Sequence, residues 1–401
     1  MLPTLFNIPM PEWLPGCIQQ AGAIKSYGVM MMIAFLSGIW LACRRASRSQ
    51  ADPDIVLNLG FLALIFGVAG ARLMFVLHYW DTKFANKASP LAEVFNLSNG
   101  GLEFWGGPLL VIPAGIIYLH FIAKVSTRWY LDICLPSLAW GLAITRVGCF
   151  LNGCCWGSVC IDQHAHADDL NTKIAAVPWA VTFPYGSPAM RQQYEFGQLT
   201  LPKELVYTWS SGETMPYPRE FIELALEDNG ETRKRLEELK KQHHEGIAQK
   251  AIEYKHSTIR GVEQHCEQYG LSIQQLADLA NQYRSKPVHP SQLYAVINAF
   301  LISWILSTIF YYRQRHGVVL GWFLIMYSIA RIALESIRAD NPLDTFGGIT
   351  ISQSISLCTF IAGVLWLALM YRLPKFSPRA VPVVYEDENE SAPPKAKPKN
   401  A

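Results

Sequence analysis

Four polar side chains recur at helical spacing inside an apolar stretch near the C-terminal end of the chain. They are Tyr327, Arg331, Glu335 and Arg338. Steps of four, four and three residues place them on one stripe of a helix. Residues 317–338 are long and apolar enough to cross a bilayer, where an isolated charge costs at least ~2.5 kcal/mol. The stripe is therefore expected to face protein or a water-filled cavity, as a structural Arg–Glu pair or as part of an anion site.

A second arginine closes another apolar stretch. Arg146 is followed by glycines at 148, 153 and 157 and by Asn152, in the segment TRVGCFLNGCCWG. Glycine permits tight turns and close backbone approach, and a guanidinium makes two parallel, permanently charged contacts with phosphate oxygens. We expect Arg146 to converge with Arg331 and Arg338 on one phosphate. At bilayer depth such a phosphate belongs to a lipid head group.

A glycine-rich segment, GGLEFWGGP, precedes a further apolar stretch. It contains Glu103, Trp105, Gly106 and Gly107. Backbone of this composition either packs closely against another helix or binds a ligand, and the sequence leaves both interpretations open.

Polar side chains also flank or enter other apolar stretches. Tyr27 opens the first stretch, and Arg72 lies within the second. The segment HPSQLY at residues 289–294 brings together an imidazole, a hydroxyl, an amide and a phenol. His289 and Ser291 are therefore candidate site residues, although Ser291 could equally be a helix N-cap.

Seven apolar stretches have the length of membrane-crossing helices. By residue number they are 27–43, 55–79, 104–123, 130–145, 293–312, 317–337 and 349–371. Basic residues follow the first, third, fifth and seventh, at Arg44/Arg45/Arg48, Lys124/Arg128, Arg313/Arg315 and Arg372/Lys375. Under the positive-inside rule these ends face the cytoplasm, so the N-terminus is expected outside and the C-terminus in the cytoplasm.

The composition favours an all-α polytopic membrane protein. Of 401 residues, 51% are hydrophobic and 16% are charged, whereas soluble domains average about 25% charged. A net charge of +2 gives no indication of a nucleic-acid partner. The N-terminal residues lack a basic region followed by an apolar run and a cleavage site, so no removable signal peptide is predicted.

Residues 150–286 interrupt the apolar pattern, which predicts a mixed extracytoplasmic head. Its first part is rich in Pro, Gly, Tyr and Trp, with PWAVTFPYG as a strand and turn. Residues from about 219 to 285 are dense in Glu, Lys, Gln and Ala and predict an insertion of two or three soluble helices. The other predicted divisions are an N-terminal interfacial segment with transmembrane helices 1–4 (1–149), helices 5–7 (287–375) and a disordered cytoplasmic tail (376–401).

Four cysteines are crowded around the start of this head, at Cys149, Cys154, Cys155 and Cys160. A zinc site would need a C-x2-C pair with a second pair or histidines, and this spacing does not supply one, so no metal is predicted. A disulfide in an oxidising outer compartment and small residues at a tight turn are the remaining interpretations.

Taken in order, these pieces resemble the prolipoprotein diacylglyceryl transferase family of bacterial inner membranes. The matching motifs are Tyr27-Gly28, Gly70-Ala71-Arg72-Leu73, the glycine pairs at 100–101 and 106–107, Arg146-x-Gly-x-Phe-x-Asn-Gly, Pro178-Trp179, His289-Pro-Ser-Gln-Leu-Tyr and Tyr327…Arg331…Glu335…Arg338. The resemblance covers residues from about 20 to 200 and from 286 to 372, and it leaves out the helical insertion.

The family transfers the diacylglyceryl group of phosphatidylglycerol to the lipobox cysteine thiol of a prolipoprotein, which gives a thioether and glycerol 1-phosphate. The resemblance implies an enzyme of lipoprotein biogenesis in the bacterial inner membrane. Its implied partners are phosphatidylglycerol, prolipoprotein signal peptides and membrane lipids, with no cofactor, metal or nucleic acid.

The resemblance also implies residue roles. The thiolate attacks the glycerol carbon that bears the phosphate, and arginines stabilise the charge on the departing phosphate. The residues implied in catalysis are Arg146, Arg331, Glu335, Tyr27 and His289. Those implied in substrate binding are Asn152, Tyr327, Arg338, Arg72, Gly106, Gly107, Trp105 and Glu103.

Three positions depart from the family pattern. Trp105 stands where the family often carries a histidine proposed as the base, while Cys149 and Cys154 stand where an Asn and a Glu are usual. Tryptophan cannot accept a proton, so the thiol ionises by other means, or His289 or Glu103 substitutes, or the activity is altered. The alternative function is a catalytically altered member that binds or transports phospholipid, although the internal repeat typical of transporters is not apparent.

Overall fold

The computed structural model describes residues 4–7, 23–84, 94–95, 101–103, 105–160, 177–208, 212–228, 247–338, 349–380 and 382. Most of these residues are helical. The elements of the N-terminal part are β1 (Thr4–Asn7), β2 (Ala23–Lys25), α1 (Ser26–Arg48), α2 (Pro53–His78), a π-helix (Trp80–Phe84), α3 (Gly106–Ile117), a second π-helix (Tyr118–Ile122) and α4 (Thr127–Asn152). Those that follow are α5 (Pro188–Glu195), a 3-10 helix (Lys203–Leu205), β3 (Val206–Thr208), β4 (Thr214–Pro216), α6 (Arg219–Glu227), α7 (Ile247–Tyr269), α8 (Ile273–Gln282), α9 (Ser291–Tyr312), α10 (Val318–Glu335) and α11 (Ile351–Arg372). The strands pair as β1–β2 and β3–β4, both antiparallel.

Within the described residues, six helices are long and apolar enough to cross a membrane: α1, α2, α4, α9, α10 and α11. Such helices suit a bilayer because every backbone N–H and C=O is satisfied inside the helix. They correspond to six of the seven predicted spans. At the remaining predicted span, 104–123, the structure has a shorter apolar helix that runs from Gly106 to Ile122 through the second π-helix. Phe104 lies outside the described residues.

The chain divides into two compact units. The first comprises Met1–Ala34, Trp140–Leu301 and Met326–Phe360, and the second comprises Phe35–Ala139, Ile302–Ile325 and Ile361–Ala401. The arginines at 146, 331 and 338 therefore belong to the first unit, together with the predicted head. Arg72 and the glycine segment before α3 belong to the second unit.

In the second unit, α2 packs against α3 through glycines. A Cβ atom at Gly106 would overlap the backbone of Gly70, and a Cβ atom at Gly70 would overlap Gly106. One at Gly107 would lie 3.3 Å from the carbonyl oxygen of Gly67. Because a side chain would separate the two backbones, the structure supports helix packing as the role of the glycine segment.

The second unit also buries charged groups. The side chain of Asp132 is 0% exposed and lies 3.0 Å from Arg313 Nε. Asp132 Oδ2 also accepts the N–H of Gly317 at 2.7 Å, just before α10 begins. Arg45 is 7% exposed and donates to a carbonyl and a serine hydroxyl of α4. Two of the basic residues counted for orientation, Arg45 and Arg313, are therefore internal charges with fixed partners.

In the first unit, short extended segments link the ends of α4 and α10 to the start of α9. Gly157 pairs with Arg338, and Val159 pairs with Val288, in isolated antiparallel bridges. The predicted strand within PWAVTFPYG is also reduced to bridges, since Val181 pairs with the same Val288. These bridges hold the residues that follow α4 beside those that follow α10.

The head has its own hydrophobic core in the first unit. Ile259, Val262 and Cys266 recur at helical spacing on α7 and are buried against residues of α5, α6 and α8. Within the described residues of the predicted insertion lie the helices α6, α7 and α8. The chain enters and leaves this part at one place, because Pro184 and Arg284 form an antiparallel bridge.

Candidate functional site

The polar stripe on α10 carries a buried ion pair. Arg331 Nη2 lies 2.9 Å from Glu335 Oε2; the side chain of Glu335 is 0% exposed and that of Arg331 18%. Arg331 Nη2 also donates to Ser352 Oγ at 2.8 Å, and Thr350 Oγ1 donates to Glu335 Oε1 at 3.4 Å. Within the described part of the chain, these contacts occupy only Nη2 of Arg331. Its Nε and Nη1 edge can therefore receive a ligand anion.

Arg146 lies two residues before Gly148 on α4. A Cβ atom at Gly148 would lie 3.3 Å from the Tyr27 ring, so this glycine lets the start of α1 approach the same turn. The guanidinium of Arg146 interacts electrostatically with Tyr27 and Cys155. Among the residues that the structure describes, no carboxylate pairs with Arg146. A charge of this kind in a membrane helix is a candidate site residue.

The two arginines that the sequence selects lie near each other. Arg331 interacts electrostatically with Arg146, Arg338 and Tyr327, as well as with Glu335. Among these described residues, three guanidiniums and one carboxylate leave an excess of positive charge around Arg331. Like charges repel more strongly where water is scarce, so a bound anion would stabilise this arrangement. Tyr327 is 37% exposed on the same stripe and can add a hydroxyl group.

The segment after Arg146 gathers three thiols. The sulfur atoms of Cys149, Cys154 and Cys155 all lie within 4.8 Å of one another. Cys160 is buried outside this group, and all four thiols are free. The disulfide interpretation therefore does not describe this structure.

The thiol of Cys155 has an unusual electrostatic environment. Hydrogen bonds from Cys149 and Cys154 lower its pKa, and the positive charges of Arg338 and Arg146 act in the same direction. The predicted substrate ligand Asn152 is exposed at the end of α4. Its side chain hydrogen-bonds to the thiol of Cys154.

His289 lies just before α9 in a small aromatic cluster. Its Nδ1 is 3.3 Å from the hydroxyl of Tyr294, and Trp179 Nε1 donates to the same hydroxyl at 2.6 Å. Ser291 donates its hydroxyl hydrogen to the carbonyl of Cys155 at 2.6 Å. The Ser291 side chain thus ties the start of α9 to the thiol segment, and its role as a helix N-cap stays a prediction.

Arg72 belongs to the second unit and already has partners there. It is 8% exposed, and it donates from Nε to the carbonyl of Val94 at 2.8 Å and from Nη1 to that of Gly101 at 3.0 Å. Its guanidinium also lies 5.5 Å from the rings of Phe75 and Phe84. Arg72 therefore fixes the connection before α3, and the predicted contact with lipid stays a prediction.

Glu103 and Trp105 precede α3 in the second unit. Glu103 lies 3.3 Å from Nδ1 of His78, the last residue of α2, and Trp105 is 52% exposed. A histidine oriented by a carboxylate is a common arrangement for a general base. Gly106 and Gly107, predicted to bind substrate, are buried against α2, because the helices approach through their backbones.

The sequence pattern missed three supporting residues. Ser352 and Thr350 hold the Arg331–Glu335 pair, and His78 pairs with Glu103. The polar run TISQS at the start of α11 was a signal for the first two, since it is out of place in an apolar span. No local pattern marks His78, because its partner lies on a different element.

Known proteins are similar in sequence to this chain. The profile described as prolipoprotein diacylglyceryl transferase matches residues 16–369. A protein of Proteus mirabilis (strain HI4320) is 27% identical over 363 residues, which cover 88% of this chain and 90% of the relative. A protein of Erwinia tasmaniensis is 27% identical over 355 residues, covering 86% and 88%. A protein of Shewanella sp. (strain ANA-3) is 32% identical over 197 residues, covering 48% and 66%.

All three relatives are named phosphatidylglycerol–prolipoprotein diacylglyceryl transferase. The profile match reaches all six membrane-type helices and includes every candidate site residue. The chain therefore belongs to the prolipoprotein diacylglyceryl transferase family.

Proposed function

We propose that this protein transfers the diacylglyceryl group of phosphatidylglycerol to the lipobox cysteine of a prolipoprotein and releases glycerol 1-phosphate. The observation that carries the proposal is the proximity of Arg146 on α4 to Arg331 on α10. Two guanidiniums from separate apolar helices are costly unless an anion joins them, and the phosphate of a lipid head group is such an anion. Family membership supports the same reaction.

Each step of this reaction has a candidate group. The thiolate of the prolipoprotein attacks the glycerol carbon, a C–S bond forms, and the C–O bond to the phosphate breaks. The phosphate leaves with the electron pair, and Arg146 and the Nε/Nη1 edge of Arg331 stabilise its charge. Glu335 orients Arg331, while Tyr27 and Tyr327 hydrogen-bond to the glycerol hydroxyls.

The remaining residues of the first unit have supporting roles in this proposal. Arg338 shapes the cationic site from the end of α10, and Asn152 contacts the head group from the end of α4. Their positions favour these roles, because Asn152 is the last residue of α4 and Arg338 follows α10, the two helices that carry the phosphate-binding arginines.

The proton acceptor for the thiol is either His289 or Glu103. His289 carries an imidazole beside Tyr294, and Glu103 is paired with His78. Replacing each in turn by glutamine separates the two, because the base variant should lose activity at neutral pH and regain part of it as rising pH ionises the thiol in solution.

We further propose seven spans in the bacterial inner membrane, with the Gly106–Ile122 helix as the third. The N-terminus and the head at 150–286 lie outside, and the tail at 376–401 lies in the cytoplasm. The basic residues after alternate spans support this orientation. Prolipoprotein signal peptides and membrane lipids are the partners, and nucleic acid is not.

Reconstitution tests the proposed reaction directly. Purified protein in phosphatidylglycerol vesicles, given a lipobox peptide, should release glycerol phosphate and give a thioether-linked product by mass spectrometry. A peptide with serine in place of the lipobox cysteine is the control and should give neither product. No turnover under conditions in which an active relative works would refute the proposal.

A phospholipid-binding or transport protein on the same scaffold is the second candidate. The observation that favours it is Trp105, which is 52% exposed and cannot accept a proton. Growth of a strain depleted of its own transferase separates the candidates, because only a transferase restores lipoprotein modification.

A further inference from the structure

A group of three thiols lies in the first unit and takes no part in the proposed reaction. The sulfur atoms of Cys149, Cys154 and Cys155 are all within 4.8 Å of one another. Zinc–sulfur bonds are about 2.3 Å long, so sulfurs that share a tetrahedral zinc ion lie roughly 3.8 Å apart. Shifts of at most about 1 Å would therefore bring all three sulfurs to metal-binding separation.

The backbone holds two of these thiols toward the third. Cys155 has a φ of 62°, a left-handed conformation that is unfavourable for a residue with a side chain. Ser291 Oγ donates to the carbonyl of Cys155 at 2.6 Å, and Gln292 Nε2 donates to that of Cys154 at 2.8 Å. The N–H of Cys154 donates to the carbonyl of Cys149 at 3.1 Å. The arrangement is thus fixed from both α4 and α9 before any ligand arrives.

The surrounding charge suits an anionic metal complex. Arg146 and Arg338 interact electrostatically with Cys155. Three thiolates around a divalent ion carry one net negative charge, which nearby guanidiniums stabilise where water is scarce. Thiolate ligands select soft ions such as zinc and its heavier relatives over calcium or magnesium.

We propose that Cys149, Cys154 and Cys155 bind one thiophilic divalent cation of the zinc and cadmium class through three thiolates, with water as the fourth ligand. Binding releases the three thiol protons and changes no oxidation state. This site does not depend on the proposed transferase function. If both exist, the metal complex and the lipid phosphate use the same arginines, so a bound metal should weaken phosphatidylglycerol binding.

Cadmium titration tests the site. The full-length protein, purified in nanodiscs with reductant and stripped with a chelator, is titrated with Cd²⁺ while thiolate-to-metal charge-transfer absorption is recorded. Wild-type protein should bind one ion with an absorption that corresponds to three thiolates, and Zn²⁺ should displace it. Cys149→Ser, Cys154→Ser and Cys155→Ser should each weaken binding at least tenfold. Cys160→Ser is the matched control, because this nearby buried thiol lies outside the group, and it should bind as wild type does.

Alkylation of the wild-type protein provides a readout that needs no variant to fold. Bound Cd²⁺ should protect the three thiols from iodoacetamide, as mapped by mass spectrometry, and leave the labelling of the exposed Cys358 unchanged. Absence of the charge-transfer band in wild-type protein, or binding retained in the triple serine variant, would overturn the proposal. A disulfide between two of the three cysteines in protein isolated without air would overturn it as well.

Discussion

Because Arg331 is paired with Glu335 and Arg146 has no carboxylate partner among the described residues, we expect the two arginines to matter equally for activity but differently for stability. Arg331→Met removes the charged partner of a side chain that is 0% exposed. Arg146→Met removes a guanidinium with no carboxylate partner among the described residues. We expect both variants to lose activity, and only Arg331→Met to unfold easily.

The expected loss of unfolding free energy in each variant follows from how deeply the affected charges are buried. Removing one partner of a buried ion pair costs about 3–5 kcal/mol, because the other charge is left uncompensated. Since 18% of the Arg331 side chain is exposed, the lower end, about 3 kcal/mol, is expected. Arg146→Met should cost less than about 1 kcal/mol, as is usual away from buried polar networks. Each variant should slow turnover by about 10²–10³-fold, the usual effect of removing one group that stabilises an oxyanion.

A double-mutant cycle in one detergent measures the difference. Free energies of unfolding come from denaturant titration of the two single variants, Glu335→Gln and Arg331→Met/Glu335→Gln. The double variant should recover most of the stability lost by Arg331→Met, because no buried charge remains unpaired. Glycerol phosphate release should stay as slow in the double variant as in Arg331→Met. Equal stabilities of Arg331→Met and Arg146→Met, or no recovery in the double variant, would refute the reasoning.

Three further predictions concern packing, the site and pH. Gly106→Ala should lower the free energy of unfolding by about 1–3 kcal/mol, because the new Cβ atom would overlap the backbone of α2. Gly28→Ala is the control, because a Cβ atom at residue 28 has no described neighbour within 4 Å. Equal losses in the two variants would contradict the packing of α2 against α3. Gly148→Val should displace Met30 and the Tyr27 ring, which lie 3.0 Å and 3.3 Å from the point that a Cβ atom at residue 148 would occupy. It should slow turnover at least tenfold at a temperature at which the variant stays folded, and full activity there would remove Tyr27 from the site. Burial and neighbouring arginines lower the pKa of His316 to about 4 from its ordinary value of 6.5, so the unfolded chain binds more protons between these values. Stability should therefore fall as pH drops from 6.5 to 4, and His316→Gln should flatten that part of the melting profile. An unchanged profile would contradict the lowered pKa of His316.

Helical periodicity predicted part of the site, because it depends only on local geometry. The four-residue step from Arg331 to Glu335 is enough to place both side chains on one face, and the structure has them as an ion pair. The apolar lengths predicted seven spans, and six of them are long apolar helices within the described residues. The role of each site residue in the reaction stays a prediction.

Other features depend on contacts between distant segments and left no local signal. Cys149 precedes Cys154 and Cys155 across a helix end, where Gly153 has a φ of 72° and turns the chain back on itself. The resulting C-x4-C-C spacing differs from the pair that marks a zinc site, so the grouping becomes visible only once the turn is known. In the sequence, Arg45 and Arg313 look like ordinary charges that flank a membrane helix. The structure shows that both are buried, because Arg313 pairs with Asp132 and Arg45 donates to Ser137.

The bridge between Pro184 and Arg284 makes the part of the head that it encloses, residues 185–283, a removable module. All the buried side chains of its hydrophobic core come from residues 185–280, and the two strands of chain that lead into it run side by side. Segments whose ends meet in this way tolerate excision and exchange. The segment between Pro184 and Arg284 can therefore be replaced by a tight hairpin, or by a rigid domain that aids particle alignment in electron microscopy. The arginines at 146 and 331 would remain on their own helices.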